Sequence, residues 1–362
     1  MLNGMLLAIV FYAKSRFSAT PTQTGQIVFC YDVAYVVGCL LAQGLLSRYT
    51  PQKCLVIAML WFFGGALLSY FGQGLAYLYV GQLFFGVGTS FFWPPLMGWL
   101  SEGYEDKELA RMTGYYNLTW STACFITPLM TGALCDLNET YPLLLLLVIY
   151  TIQLPIFIAI HLANRKKSIK GSDASEPVKG SQTMLRYPSW YGVACAWCAI
   201  GFLIGVYPNA AKELLNISSA RVGFFYTLRS AGQAIALIAL GFFTFWQFRR
   251  WQLAIGHLAT AIVVFMLGFA KGAPMVLPCL ILLGPLFAHA YTNSMVHGVA
   301  GSKNRTRRML IHEVLLSSGS LLGALLGGYL YQHFGLLAAC SFCAALMFSS
   351  FICDLLPWDR NK

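Results

Sequence analysis

Two ionisable side chains stand alone inside long apolar runs. Asp32 lies about ten residues into an apolar segment over 22–47, within IVFCYDVAYVVG. Arg229 lies about eleven residues into a segment over 218–247, within FFYTLRSAGQ. A carboxyl in apolar surroundings can accept a proton or a cation, and a guanidinium can anchor an anionic group. The structural alternative for each is an ion pair, or hydrogen bonds that hold a helix interface. A third candidate is His312-Glu313, which follows the basic run Lys303–Arg308 by a few residues. Such a pair can relay protons or tether a gate to nearby arginines, and the second role is the one favoured.

Other patterns carry less. Cys195-x-x-Cys198 and Cys340-x-x-Cys343 have the spacing of metal or redox pairs, but each sits on an apolar run with no second pair expected nearby, so both read as packing. There is no Walker phosphate loop, no serine–histidine constellation and no metal or cofactor motif, so neither an enzyme nor ATP-driven chemistry is expected. The sequons at Asn138, Asn216 and Asn304 matter only in a secretory-pathway cell.

The elements that position these residues follow from composition. Apolar residues make up 58% of the 362, and charged ones only 10%. A soluble domain typically carries about 25% charge, so this surface must largely face lipid. That excludes a soluble enzyme, a nucleic-acid-binding module and a disordered chain. A bilayer core of about 30 Å needs roughly 20 apolar residues per helix. Runs of that kind occupy 1–14, 22–47, 53–73, 75–100, 110–135 and 141–163, then 187–210, 218–247, 250–270, 273–298, 308–332 and 335–356. Twelve segments are predicted, and the first is too short to span, as if its beginning were missing.

The one long hydrophilic stretch, 164–186, is rich in Ser, Gly and Lys and reads as a linker between bundles at 1–163 and 187–362. Of the 24 Lys and Arg, 18 fall in the linker, the other loops after even-numbered segments and the C-terminal tail. The positive-inside rule places those loops, the linker and the C-terminus in the cytoplasm of a cell-membrane protein. The halves also repeat. Arg111-Met-Thr-Gly and Arg308-Met-Leu-Ile are offset by 197, Gly25 and Gly223 by 198, and Gly132 and Gly328 by 196. This predicts a parallel duplication of six helices.

Twelve helices in two six-helix repeats joined by a basic linker resemble the major facilitator superfamily. The family's loop G-x-L-A-D-R-x-G-R-K compares with Gly44-Leu-Leu-Ser-Arg48-Tyr-Thr-Pro51-Gln-Lys53, where the Asp is absent. Gln82 stands where many proton-driven exporters carry an Arg before Gly86. The exporters' fifth-helix pattern G-x-x-x-G-P-x-x-G-G compares with Thr127-Pro128-Leu-Met-Thr131-Gly132, and helix 11 repeats it with Gly319, Gly323, Ala324, Gly327 and Gly328.

The resemblance implies a secondary transporter that rocks two halves about a midplane site. It implies gating roles for Arg48, Lys53, Pro128, Gly132, His312 and Glu313, and proton coupling at Asp32. It implies a cavity lined by helices 4 and 10, where Trp93 and Tyr291 match at an offset of 198. With Asn117, Trp120, Gln233, His289, Asn293 and Arg229 these form a mixed aromatic and polar substrate pocket. In such a fold helix 2 neighbours helix 11 and helix 8 neighbours helix 5, which separates Asp32 from Arg229. The expected activity is export of a small organic solute by proton antiport. The alternatives are an uptake symporter for a sugar-like or carboxylate solute, and a receptor or scaffold that no longer transports. The expected partners are the solute, the bilayer and protons, with no nucleic acid and a monomeric state.

Overall fold

The computed structural model describes residues 2–46, 49–101, 106–164, 184–243, 245–300 and 305–356. Its elements are α1 (Leu2–Phe17), α2 (Pro21–Leu46), α3 (Pro51–Phe71), α4 (Leu75–Ser101), α5 (Asp106–Leu137) and α6 (Tyr141–Asn164). These are followed by α7 (Arg186–Gly205), α8 (Tyr207–Leu215), α9 (Ser219–Phe242), α10 (Arg250–Leu267), α11 (Ala273–Val299) and α12 (Arg305–Leu355). The described residues are all-helical apart from turns, and nine helices among them are long and apolar enough to cross a membrane. Most of the linker lies outside the described residues.

Two boundaries differ from the sequence expectation for a local reason, and a third is made by a single glycine. The run 187–210 breaks at Val206 into α7 and α8, because Pro208 in the first turn of α8 cannot continue the ladder. The helix expected through 247 ends at Phe242, and Trp246 is buried in the turn that follows. The two segments expected at 308–332 and 335–356 are both present, as two helices that meet at a kink within α12. Its only non-helical residue is Gly335, at φ 81° and ψ −179°. That backbone conformation is open essentially to glycine alone. It folds α12 into a first limb ending at Phe334 and a second limb beginning at Leu336.

Two apolar cores divide the molecule. One draws on α1 to α4 and α6, with Ile9, Ile27, Met59, Leu78, Phe85 and Tyr150 among its members. The other draws on α7 to α12, with Phe202, Val222, Leu283, Phe287, Cys343 and Met347. Helix α1 serves both. Met5, Leu6 and Ile9 join the first core, whereas Leu7 and Phe11, four residues apart on another face, join the second. Large apolar side chains such as Leu41, Ile152, Ile235 and Phe242 remain on the outer surface, as a lipid-facing helix requires.

The cores meet at two crossings, α2 with α12 and α5 with α9. A Cβ on Gly25 would strike the carbonyl of Ala324, and one on Gly328 the carbonyl of Pro21. A Cβ on Gly223 would strike the carbonyl of Pro128, and one on Gly132 the carbonyl of Ser219. The second set reproduces the first under the repeat offset, with Ala324 matching Pro128 and Pro21 matching Ser219. Backbone-to-backbone approach of this kind is what small residues permit between membrane helices.

Candidate functional site

Asp32 and Arg229 begin at comparable depth. Each lies ten or eleven residues into its helix, about 15 Å from the helix start at 1.5 Å per residue. Both are buried, at 5% and 3% exposure. They belong to different crossings. Asp32 faces α12, where Ser320 hydrogen-bonds its carboxyl, and its Oδ2 has no partner among the described residues. Arg229 faces α5 and α1. It lines a small cavity with Leu7, Pro128, Ile204 and Tyr226.

The guanidinium of Arg229 is sparsely held. It lies 5.8 Å from the Tyr226 ring centroid, and Nη1 donates to Gln233 Oε1 at 3.4 Å. Nε has no partner among the described residues. Tyr226 donates its hydroxyl to the carbonyl of Leu203, which fixes the ring beside the guanidinium.

A second polar cluster lies toward the linker end of α2, α11 and α12. Tyr35 donates to Glu313 Oε2 at 3.2 Å, joining α2 to α12. His312 Nδ1 is 2.7 Å from Ser294 Oγ, and its ring meets Tyr291 edge-on at 5.0 Å. Tyr291 in turn lies 5.6 Å from Trp197 of α7. His312 and Glu313 are adjacent in sequence yet turn to different neighbours.

The remaining candidates scatter. Trp93 is half-buried on α4 and packs edge-on against Phe92 at 5.1 Å. Trp120 is half-buried on α5, while the side chain of Asn117 lies outside the described residues. Asn293 is buried and donates to the carbonyl of His289 at 2.9 Å. His289 turns to α10, where its ring fills the space a side chain at Gly256 would occupy, and so departs from Tyr291. Lys53 sits over the Tyr49 ring at 4.1 Å at the start of α3, and Arg48 lies outside the described residues. Pro128 and Gly132 stand at the α5–α9 crossing.

The expectation that neither cysteine pair has a second pair nearby is corrected, although all four cysteines do pack within the second core. Cys343 has Cys198, Cys340 and Cys195 as neighbours, so the structure brings both pairs together between α7 and the second limb of α12. Spacing within each pair could not show this, because the two lie 145 residues apart at Cys198 and Cys343. Among the described residues no group of three or more His, Cys, Asp or Glu is arranged to hold a metal ion.

Several partners were not singled out from sequence: Tyr35, Ser320, Tyr226, Trp197 and Ser294. Tyr35 and Tyr226 carried a signal, since each is three residues from a buried charge and therefore on its face of the helix.

This helical architecture and its paired crossings define a membrane transporter fold. The profile of the Major Facilitator Superfamily matches residues 1–207 and 189–360, and the chain belongs to that family. Its fold is similar to a bacterial homologue of the human lysosomal transporter Spinster in an inward-facing, unoccupied conformation. That match has a TM-score of 0.73 and 13% identity, covering 98% of this chain and 91% of the other. It is also similar to a point mutant of a peptide transporter, POT, in complex with alafosfalin, with a TM-score of 0.80 and 12% identity, covering 98% and 90%. No functionally curated protein matches the sequence. The chain is a secondary transporter by family and fold.

Proposed function

We propose that the protein moves a small organic solute across a cell membrane by alternating access, driven by a proton that loads on Asp32. Two six-helix halves, 1–163 and 187–362, rock about their crossings, with the linker 164–186 and the C-terminus in the cytoplasm. Twelve crossings of the bilayer follow if α1, α5 and both limbs of α12 each span. The mode expected from the glycine-rich fifth and eleventh helices is export, solute out against proton in. Solute would contact Arg229, Trp93, Asn117, Trp120, Gln233, Tyr291 and Asn293, with Arg48, Lys53, Pro128, Gly132, His312 and Glu313 serving the gates. His289, which faces α10, would act on the pocket only through Asn293.

One observation carries the reading: a buried carboxyl and a buried guanidinium occupy separate interfaces between the same two halves. Ionisable groups at membrane depth are functional by default, since insertion at a helix centre costs about 2.5–3.5 kcal/mol. A group that changes charge during the cycle links a proton gradient to the rocking motion. The same observation favours uptake by symport as a second reading. Proton and solute held on separate groups can be carried in the same step, as symport needs.

The test is solute flux in proteoliposomes with and without an imposed pH gradient. Asp32→Asn keeps size and hydrogen bonding and cannot ionise. It is expected to abolish gradient-driven accumulation while downhill exchange continues. Normal gradient-driven accumulation in this variant would remove Asp32 from coupling. Inward accumulation with an inward proton gradient selects symport, and outward movement selects antiport.

A further inference from the structure

Building on the transporter reading, we propose that the solute carries an anionic head, a carboxylate or a phosphate, and that Arg229 holds it. Arg229 is a buried cation with no counter-charge among the described residues. The groups that bear on it electrostatically are the Tyr226 hydroxyl and the Cys124 thiol. The Gln233 contact at 3.4 Å is long for a charged donor, and Nε is unpartnered. Asp32, the buried carboxyl at similar depth, is engaged with Ser320 at the other crossing. An unpaired buried charge is among the most unfavourable features a membrane protein can hold. A neutral solute would leave it uncompensated, and a cationic one would be repelled.

The cavity wall defines the rest of the solute. Leu7, Pro128 and Ile204 present apolar surface, and Tyr226 an aromatic face. That lining matches in chemical character an anionic head on an aliphatic or aromatic body, and the cavity must widen to admit one. Both halves contribute, with Leu7 and Pro128 from the first and Ile204, Tyr226 and Arg229 from the second. Pro128 is itself the carbonyl against which Gly223 packs. A solute seated on Arg229 therefore touches the crossing that must move. Arginine suits the role because its fork can hold two oxygens at once and it stays charged when buried.

The test compares four small probes that share one ring: benzoate, phenyl phosphate, benzyl alcohol and benzylammonium. Binding is measured by calorimetry on the full chain in phosphatidylcholine nanodiscs. Benzoate and phenyl phosphate are expected to bind at least roughly tenfold more tightly than the other two. Arg229→Gln is expected to weaken both anions by roughly ten- to a hundredfold. Arg229→Lys keeps the charge and serves if the Gln variant fails to fold. It should weaken benzoate less than Gln does, yet measurably, because ammonium lacks the planar fork.

Equal binding of benzyl alcohol or benzylammonium, unchanged anion binding in both variants, or no binding of any probe would overturn the proposal. Displacement of benzoate by phosphatidylglycerol would assign the site to a lipid headgroup and overturn the solute reading. Counterflow of the same probes in proteoliposomes separates the two levels. Movement of a neutral or cationic probe but no anion keeps the transporter and overturns the anionic class. Anion binding without movement of any probe overturns transport and leaves the anion site standing.

Discussion

Buried charge in this protein is handled in two ways. His257 and Asp354 form a pair, Nδ1 to Oδ2 at 2.7 Å, with both side chains almost fully buried and Ser350 Oγ 3.0 Å from the same nitrogen. Asp32 and Arg229 have no such pairing among the described residues. The pair at the linker end of α10 and α12 is closed within the protein, although His257 Nε2 and Asp354 Oδ1 lack partners among the described residues, whereas the proposed function gives the isolated charges at the crossings partners that arrive and leave. The difference predicts opposite responses to mutation. His257→Leu strands the Asp354 carboxyl and is expected to lower stability by about 3–5 kcal/mol. Replacing both residues by leucine should recover most of that loss, since a buried pair is often no better than an apolar one of similar volume. Thermal unfolding of purified protein would check this. A double variant as unstable as the single one would show that the pair fixes the helices by its hydrogen bonds rather than by charge balance.

At the scale of elements, the four glycines at the crossings do the work that side chains do elsewhere. Gly25 and Gly328 bring α2 against α12, and Gly132 and Gly223 bring α5 against α9, backbone to backbone. Because the crossings are repeat equivalents, matching substitutions should have matching effects. Gly132→Ala and Gly328→Ala are each expected to impair transport, with a cost near that of core overpacking, about 1–3 kcal/mol. Gly241, on α9 with open space around it, is the control, and Gly241→Ala should be neutral or slightly stabilising. Flux and thermal stability measured together would decide. Normal flux in both crossing variants would mean that the close approach is not needed during the cycle.

At the scale of the molecule, the described polar contacts between halves concentrate at the end opposite the linker. Lys14 Nζ reaches Glu213 Oε1 of α8 at 2.8 Å, and Asn209 Nδ2 donates to the carbonyl of Val10 at 3.0 Å. The Asp136 carboxylate accepts from the Ser219 and Ala220 amides at 2.8 and 2.9 Å, capping α9 from the end of α5. The Thr22 amide donates to Gln332 Oε1 at 3.2 Å. An exposed pair such as Lys14–Glu213 adds little stability, roughly 0–1 kcal/mol, so these contacts can break and re-form within a cycle. If this end opens, joining Lys14→Cys to Glu213→Cys with a short cleavable thiol cross-linker should stop transport, and reduction should restore it. The unmodified chain, carrying the same reagent, controls for its native cysteines. Transport that continues in the linked protein would show that the halves need not part here.

Sequence alone determined what local chemistry and solvent impose. Low charge forced the chain into lipid, apolar runs set the helices, and the offset glycines announced a duplication before either crossing was visible. It also located Asp32 and Arg229, because a charge inside an apolar run is conspicuous without any coordinates. It could not say what each side chain faces. His289 and Tyr291 are two residues apart on one helix and turn to different neighbours, since at 100° per residue a two-residue step moves a side chain across the helix. The four clustered cysteines come from runs far apart in the chain, and only the packing of α7 on α12 brings their sulfurs together. The same holds for Arg229. Its residue type and depth were legible, but its lack of a counter-charge among the described residues depends on which helices surround it, and that is decided by the tertiary fold.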